Sequence, residues 1–253
     1  MMTRWGLAEV NTIVPKTGVF ELKEGPNKSV FVFVPQEYNP ARTYPLIISF
    51  SGEDEKPEAH VKAWASMAER SGVIVMAPSF GLRSGNVVTA YDQWVLGLAS
   101  GLAHQYHIAT HKIFLIGRGE RAQYAAYLGV NYPEKFSAVA LLNGAWNGPY
   151  EKMMTFQKSP RKQIPFYVAL KGLDPSIKNE IEQRAVELQK KGYMISLEEV
   201  IPEENLGSND FQKKMYDWLN EKSDIWQDVV QTSKKGWKEK VKLAIEDNIK
   251  IEA

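Results

Sequence analysis

"KIFLIGRGERAQYAAYLGVNYPEKFSAVALLNGAW", residues 112–146, decides how the rest of the chain is read. Ile113 to Ile116 form an apolar run, Gly117 and Gly119 punctuate it, and a segment rich in Ala and Tyr follows from about Glu120 to Asn131. A second apolar run, "FSAVALLNG" at 136–144, closes the stretch after the Asn-Tyr-Pro turn. Apolar runs without alternation fit strands covered on both faces, and a helix between two of them implies a parallel crossover.

The same rhythm extends in both directions. Upstream, "KSVFVFVP" (28–35) reads as an early hairpin strand and "YPLIISFSG" (44–52) as a central one. Val61, Trp64, Ala65 and Ala68 repeat at helical spacing within 57–72, which ends at Gly72 where a C-cap belongs. A buried strand at 73–79, a helix at 91–107 and a strand at 112–117 follow. Downstream come strands at 164–172 and 193–202 and helices at 178–191 and 209–221. Alternating strands and helices predict an α/β fold, a three-layer sandwich with a mostly parallel central sheet and helices on both faces. No internal repeat or low-complexity segment interrupts it.

Composition narrows the functions. The 253 residues suit one large domain, read here as 1–222, with an amphipathic helical extension over 223–253. Basic and acidic side chains number 31 and 30, so no global field favours nucleic acid or an anionic membrane. The chain has no cysteine, which excludes disulfides, thiolate metal sites and a cysteine nucleophile. "MMTRWGLAEV" lacks the apolar core of a signal peptide, and no run reaches membrane-spanning length. These features describe a soluble chain and lean toward the cytoplasm without fixing the compartment.

In open α/β sheets, sites form past the carboxyl ends of strands. There, "VPQEYNPARTYPLIISFSG", residues 112–146 and "PFYVALKGLDPSIKNEIEQRAVELQKKGY" together resemble the α/β-hydrolase fold, in its branch of polyhydroxybutyrate-depolymerase-like and feruloyl-type esterases. The resemblance covers roughly residues 28 to 221. It implies a Gly-x-Ser-x-Gly elbow, an acid after the next-to-last strand and a histidine after the last.

This chain departs from that pattern twice. The elbow reads Gly117-Arg118-Gly119-Glu120-Arg121, so the position that matches the nucleophile is Gly119. The acid position matches Asp174 in "KGLDP", and the histidine position falls on Ser208 in "ENLGSND". An independent check agrees: His60, His104, His107 and His111 all precede the elbow, so none can follow the nucleophile in the order Ser, acid, His. Glycine at the apex also fits a turn that strains any residue with a Cβ.

The old cleft still offers binding groups. The resemblance places Ser51 and Gly52 beside it, Arg118 and Glu120 flanking the apex, and Trp146 after the next strand. For Arg118 and Glu120 the plain alternative is a solvated turn pair, and for Trp146 a core role. "HQYHIATH" (104–111) has a spacing that three zinc ligands could use, but a helix ending near Tyr106 would send His111 elsewhere, so no metal or other cofactor is expected. In the extension, Ile225, Trp226, Val229 and Val230, then Trp237, Val241, Ala244 and Ile245, line one helical face. That face either packs on its own domain or forms a partner or homo-oligomer surface.

Two functional classes follow. One is a degenerate esterase that binds a small molecule or a protein partner without catalysis. The other is a hydrolase with a rearranged site using Asp174, Glu120 or a metal.

Overall fold

The computed structural model describes residues 15–23, 29–51, 55–79, 88–201 and 205–235. Eight strands form one sheet: β1 (Gly18–Lys23), β2 (Ser29–Val34), β3 (Tyr44–Phe50), β4 (Ile74–Pro78), β5 (Ile108–Arg118), β6 (Ala138–Leu142), β7 (Phe166–Leu170) and β8 (Ile195–Glu199). Their order is β1-β2-β4-β3-β5-β6-β7-β8, with β1 and β2 antiparallel and β4 onward parallel. β3, β6 and the Ile113–Gly117 part of β5 are almost wholly buried, as their apolar runs require.

Five helices cover the sheet: α1 (Pro57–Ser71), α2 (Val88–Gln105), α3 (Glu120–Asn131), α4 (Pro175–Lys190) and α5 (Asn209–Lys235). On one face Val61, Trp64 and Met67 of α1 join Phe211, Met215 and Leu219 of α5 against Ile47, Val75 and Phe114. On the other, α2, α3 and α4 bury Val95, Leu98, Tyr124, Leu128, Ile181 and Leu188 against Ile48, Leu115 and Val139. The expected three-layer arrangement is therefore present. Among the described residues no helix is long and apolar enough to cross a membrane.

Three elements differ from the sequence reading. Strand β1 was not expected; it pairs with β2 from Gly18↔Val34 to Lys23↔Ser29. Strand β5 starts at Ile108 instead of Lys112, so His111 lies within a strand. Helix α5 runs on from Glu221 to Lys235, because "EKSDIW" contains no Gly or Pro to stop it, and the buried Ser223 satisfies its hydroxyl within the helix by donating to the Asn220 carbonyl at 2.8 Å.

Candidate functional site

Gly119 alone joins β5 to α3, with φ 59° and ψ −128°. Glycine adopts this conformation with little penalty, whereas a residue with a Cβ holds it only under strain. The turn is locked by two main-chain bonds: the Gly119 amide donates to the Leu142 carbonyl at 2.8 Å, and the Ala122 amide donates to the Gly119 carbonyl at 3.0 Å. A Cβ on Gly117 would stand 2.2 Å from the Arg121 carbonyl oxygen, and one on Gly144 2.4 Å from that of Gly119. Strand, helix and the β6 loop approach this closely because both positions lack side chains. At Gly119, by contrast, a Cβ would meet nothing within 4 Å among the described residues. The apex is therefore clear of close neighbours among the described residues.

Asp174 and Ser208 lie at the same carboxyl edge of the sheet, after β7 and β8. Each now caps a helix. The exposed Asp174 carboxylate accepts from the Ser176 amide at 2.8 Å and from the Ser176 hydroxyl, and these bonds hold its carboxyl below the usual range. The Ser208 hydroxyl accepts from the Phe211 amide at 3.2 Å, the bond expected of an N-cap to α5. Leu206 and Gly207, just before it, share a cavity wall with Gly117 and Arg118, so this loop does lie beside the elbow.

The remaining candidates disperse. Ser51 is buried just past β3, and Gly52 lies outside the described residues, as do Trp237, Val241, Ala244 and Ile245. Arg118 is exposed at the mouth of the cavity beside the elbow, and Glu120 approaches Arg121 at 3.8 Å. Trp146 is 1% exposed, packs edge-on against Phe166 and lines a separate cavity of about 160 Å³ against α4. His104 sits on α2, His107 in the following turn and His111 on β5.

The fourth histidine, His60, which no motif in the sequence singles out, joins a network. His60 Nε2 lies 2.7 Å from Ser49 Oγ, and its Nδ1 lies 2.7 Å from Glu55 Oε2. A carboxylate only accepts, so Nδ1 carries the proton and Nε2 accepts from the Ser49 hydroxyl. The bonding is that of a Ser-His-acid triad, but the burial order is inverted. Ser49 is fully buried, the His60 side chain is 13% exposed and that of Glu55 39%. In a working triad the serine faces the substrate and the acid is enclosed. Here the serine anchors the imidazole to the sheet, and the acid faces water.

Strand order, elbow and covering helices together define the α/β-hydrolase fold. No protein-family model and no curated protein matches the chain. Solved structures do. A thermostable esterase superposes with a TM-score of 0.60 at 20% identity, over 80% of this chain and 62% of its own, so this chain spans less than two thirds of that enzyme. A ferulic acid esterase gives 0.63 at 12% identity, over 81% of this chain and 98% of its own. An α/β-hydrolase enzyme from a deep-sea metagenome library gives 0.57 at 17% identity, over 83% and 100%. At these identities the likeness is one of fold.

Proposed function

We propose that the chain is an esterase-like α/β-hydrolase-fold protein that has lost acyl transfer at its elbow and acts by binding a ligand or partner at the carboxyl edge of its sheet. One observation carries this reading: Gly119 holds the strained apex conformation and supplies no hydroxyl. Two more support it. Asp174 and Ser208 are committed to helix caps, and the one imidazole bonded to a serine anchors it inside the protein.

The test is an activity screen with short-chain p-nitrophenyl esters and feruloyl esters, with and without zinc, alongside a fluorophosphonate probe. The expected result is hydrolysis at background and no adduct. Stoichiometric labelling of any serine would overturn the reading. A second reading, hydrolysis through a rearranged site, has the Ser49-His60-Glu55 chain in its favour and the burial of Ser49 against it. Mapping an adduct to Ser49 by mass spectrometry would establish it.

A further inference from the structure

β5 begins at the edge of the sheet opposite the elbow, and there its first residues, the segments leading into β6 and β7, and the second half of α5 border a cavity of about 400 Å³. Part of its lining is apolar and belongs to the core: Phe136, Trp226 and Val230. The rest is mainly basic. Lys135, Arg161 and Lys162 stand exposed around it with His111, and Glu134 is the one acidic residue among the described ones that line it.

Three basic side chains against one acidic leave a surplus of two positive charges at this cavity. The whole chain carries only +1, so the surplus is local and not a share of a general field. The side chains of Lys135 and Lys162 take part in no ion pair or hydrogen bond among the described residues. The walls are fixed by bonds that cross them. The Ser137 hydroxyl donates to the His111 carbonyl at 2.6 Å and ties the approach to β6 to β5. The Trp226 indole N–H donates to the Pro160 carbonyl at 3.3 Å and ties α5 to the 160–162 turn. A site held in this way gives up little freedom when it binds.

We propose that this cavity binds a small organic anion with an apolar body, its carboxylate held by Lys135, Arg161 and Lys162 and its carbon skeleton laid against Trp226 and Val230. The site lies at the other edge of the sheet from the binding role proposed above and goes beyond it, needing neither the elbow nor its missing hydroxyl. Charge selects the sign of the ligand. An entering cation would meet three like charges and one carboxylate, whereas an anion meets the surplus. The long lysine stems bring their ammonium groups onto a head group at the mouth without moving the backbone. Size selects the body. A cavity of roughly 150 Å³ holds a benzene ring, so one of about 400 Å³ takes two fused rings. A bare inorganic anion would leave the apolar lining uncovered.

The test uses the full chain labelled with ¹⁵N and four probes: 2-naphthoate, 2-naphthalenemethanol, 2-naphthylmethylamine and acetate. The naphthoate is expected to shift the Trp226 indole N–H and the Lys135 and Lys162 amide signals saturably, at least about ten-fold more tightly than the alcohol, the amine or acetate. Lys135→Gln combined with Lys162→Gln should weaken naphthoate binding by about ten-fold or more and leave alcohol binding and the melting temperature where they were, since both side chains are exposed and unpaired. An alcohol or amine that binds as tightly as the naphthoate would overturn the choice of an anion, and acetate doing so would overturn the apolar body. Unchanged naphthoate binding in the double variant, or no shift at the three signals up to the solubility limit, would overturn the site itself. Signals that move with protein concentration alone would make a second copy of the chain the occupant and overturn it as well. Ester hydrolysis, if found, would refute the proposed function and leave this result standing, so the two fail separately.

Discussion

At Gly119 a strained conformation and an absent side chain offset each other, and substitutions can separate the two. Gly119→Ala adds a Cβ to open space, so its cost is the backbone alone, about 1–3 kcal/mol in urea unfolding. Gly117→Ala drives a Cβ to 2.2 Å from a main-chain oxygen and should cost more than Gly119→Ala. A Gly119→Ala cost near zero would show that the apex is not a strained point, and equal costs would show that the Gly117 clash relaxes freely. Gly119→Ser combined with Ser208→His, keeping Asp174, supplies a serine, an acid and a histidine at the three positions proposed to match the triad. The second change also removes the cap on α5, worth about 0.5–2 kcal/mol. Slow fluorophosphonate labelling at position 119 is expected in the double variant and in neither single one, because a base within reach is what activates the hydroxyl. The apex was legible in the sequence because glycine at a strand-to-helix turn is a local signal. His60 was not, since Ser49, Glu55 and His60 straddle a strand end, a loop and a helix start, and no periodicity links them.

Among elements, α2 and α3 are joined by a buried carboxylate. Asp92 is fully buried and accepts from Tyr124 and Tyr127, each at 2.7 Å, and from Tyr132 at 3.2 Å. Asp92→Leu would strand these phenols in the interior and should cost about 3–5 kcal/mol, the scale for removing one partner of a buried charged network. A denaturant midpoint that does not move would show the phenols to be satisfied some other way. Helix α5 is held from its first turn to Trp226. Gln212 and Phe211 fix its start, Lys112 on β5 donates to Asn220 at 2.8 Å, and Trp226, 5% exposed, donates its indole N–H to the Pro160 carbonyl at 3.3 Å. Trp226→Ala should therefore cost about 3–5 kcal/mol, as for a large core residue, and thermal unfolding would read the loss. Sequence periodicity put Ile225, Trp226, Val229 and Val230 on one apolar face, whereas the structure turns Trp226 and Val230 toward the core and leaves Ile225 and Val229 exposed, because only part of that face meets the 160–162 turn.

For the whole molecule, the buried phenols set an alkaline limit. Burial first, and the Asp92 charge second, push Tyr124 far above the ordinary tyrosine range, and burial followed by the Asp92 bond raises Tyr127. Burial lifts Tyr216 to about 12. A folded value above the unfolded one means stability is fully present below about pH 10 and falls as pH rises through the folded values. The urea midpoint should decline above about pH 10, with phenolate absorbance at 295 nm from the buried tyrosines appearing only as the chain unfolds. Ionisation of every tyrosine in the folded protein would contradict this. The sequence by itself determined the layered fold, since unbroken apolar runs, helical spacing and the paired glycines are local signals that dictate buried parallel strands, covering helices and a sharp turn. It also determined that the elbow has no hydroxyl and that no histidine follows it. Only the tertiary structure decided which polar groups meet across the fold: that Ser49 lies inside and Glu55 outside, that Lys112 reaches Asn220, and that Gln212 bonds the Ala63 carbonyl. Those outcomes depend on side-chain orientation and, for Lys112 and Gln212, on segments more than a hundred residues apart, and local pattern carries no information about either.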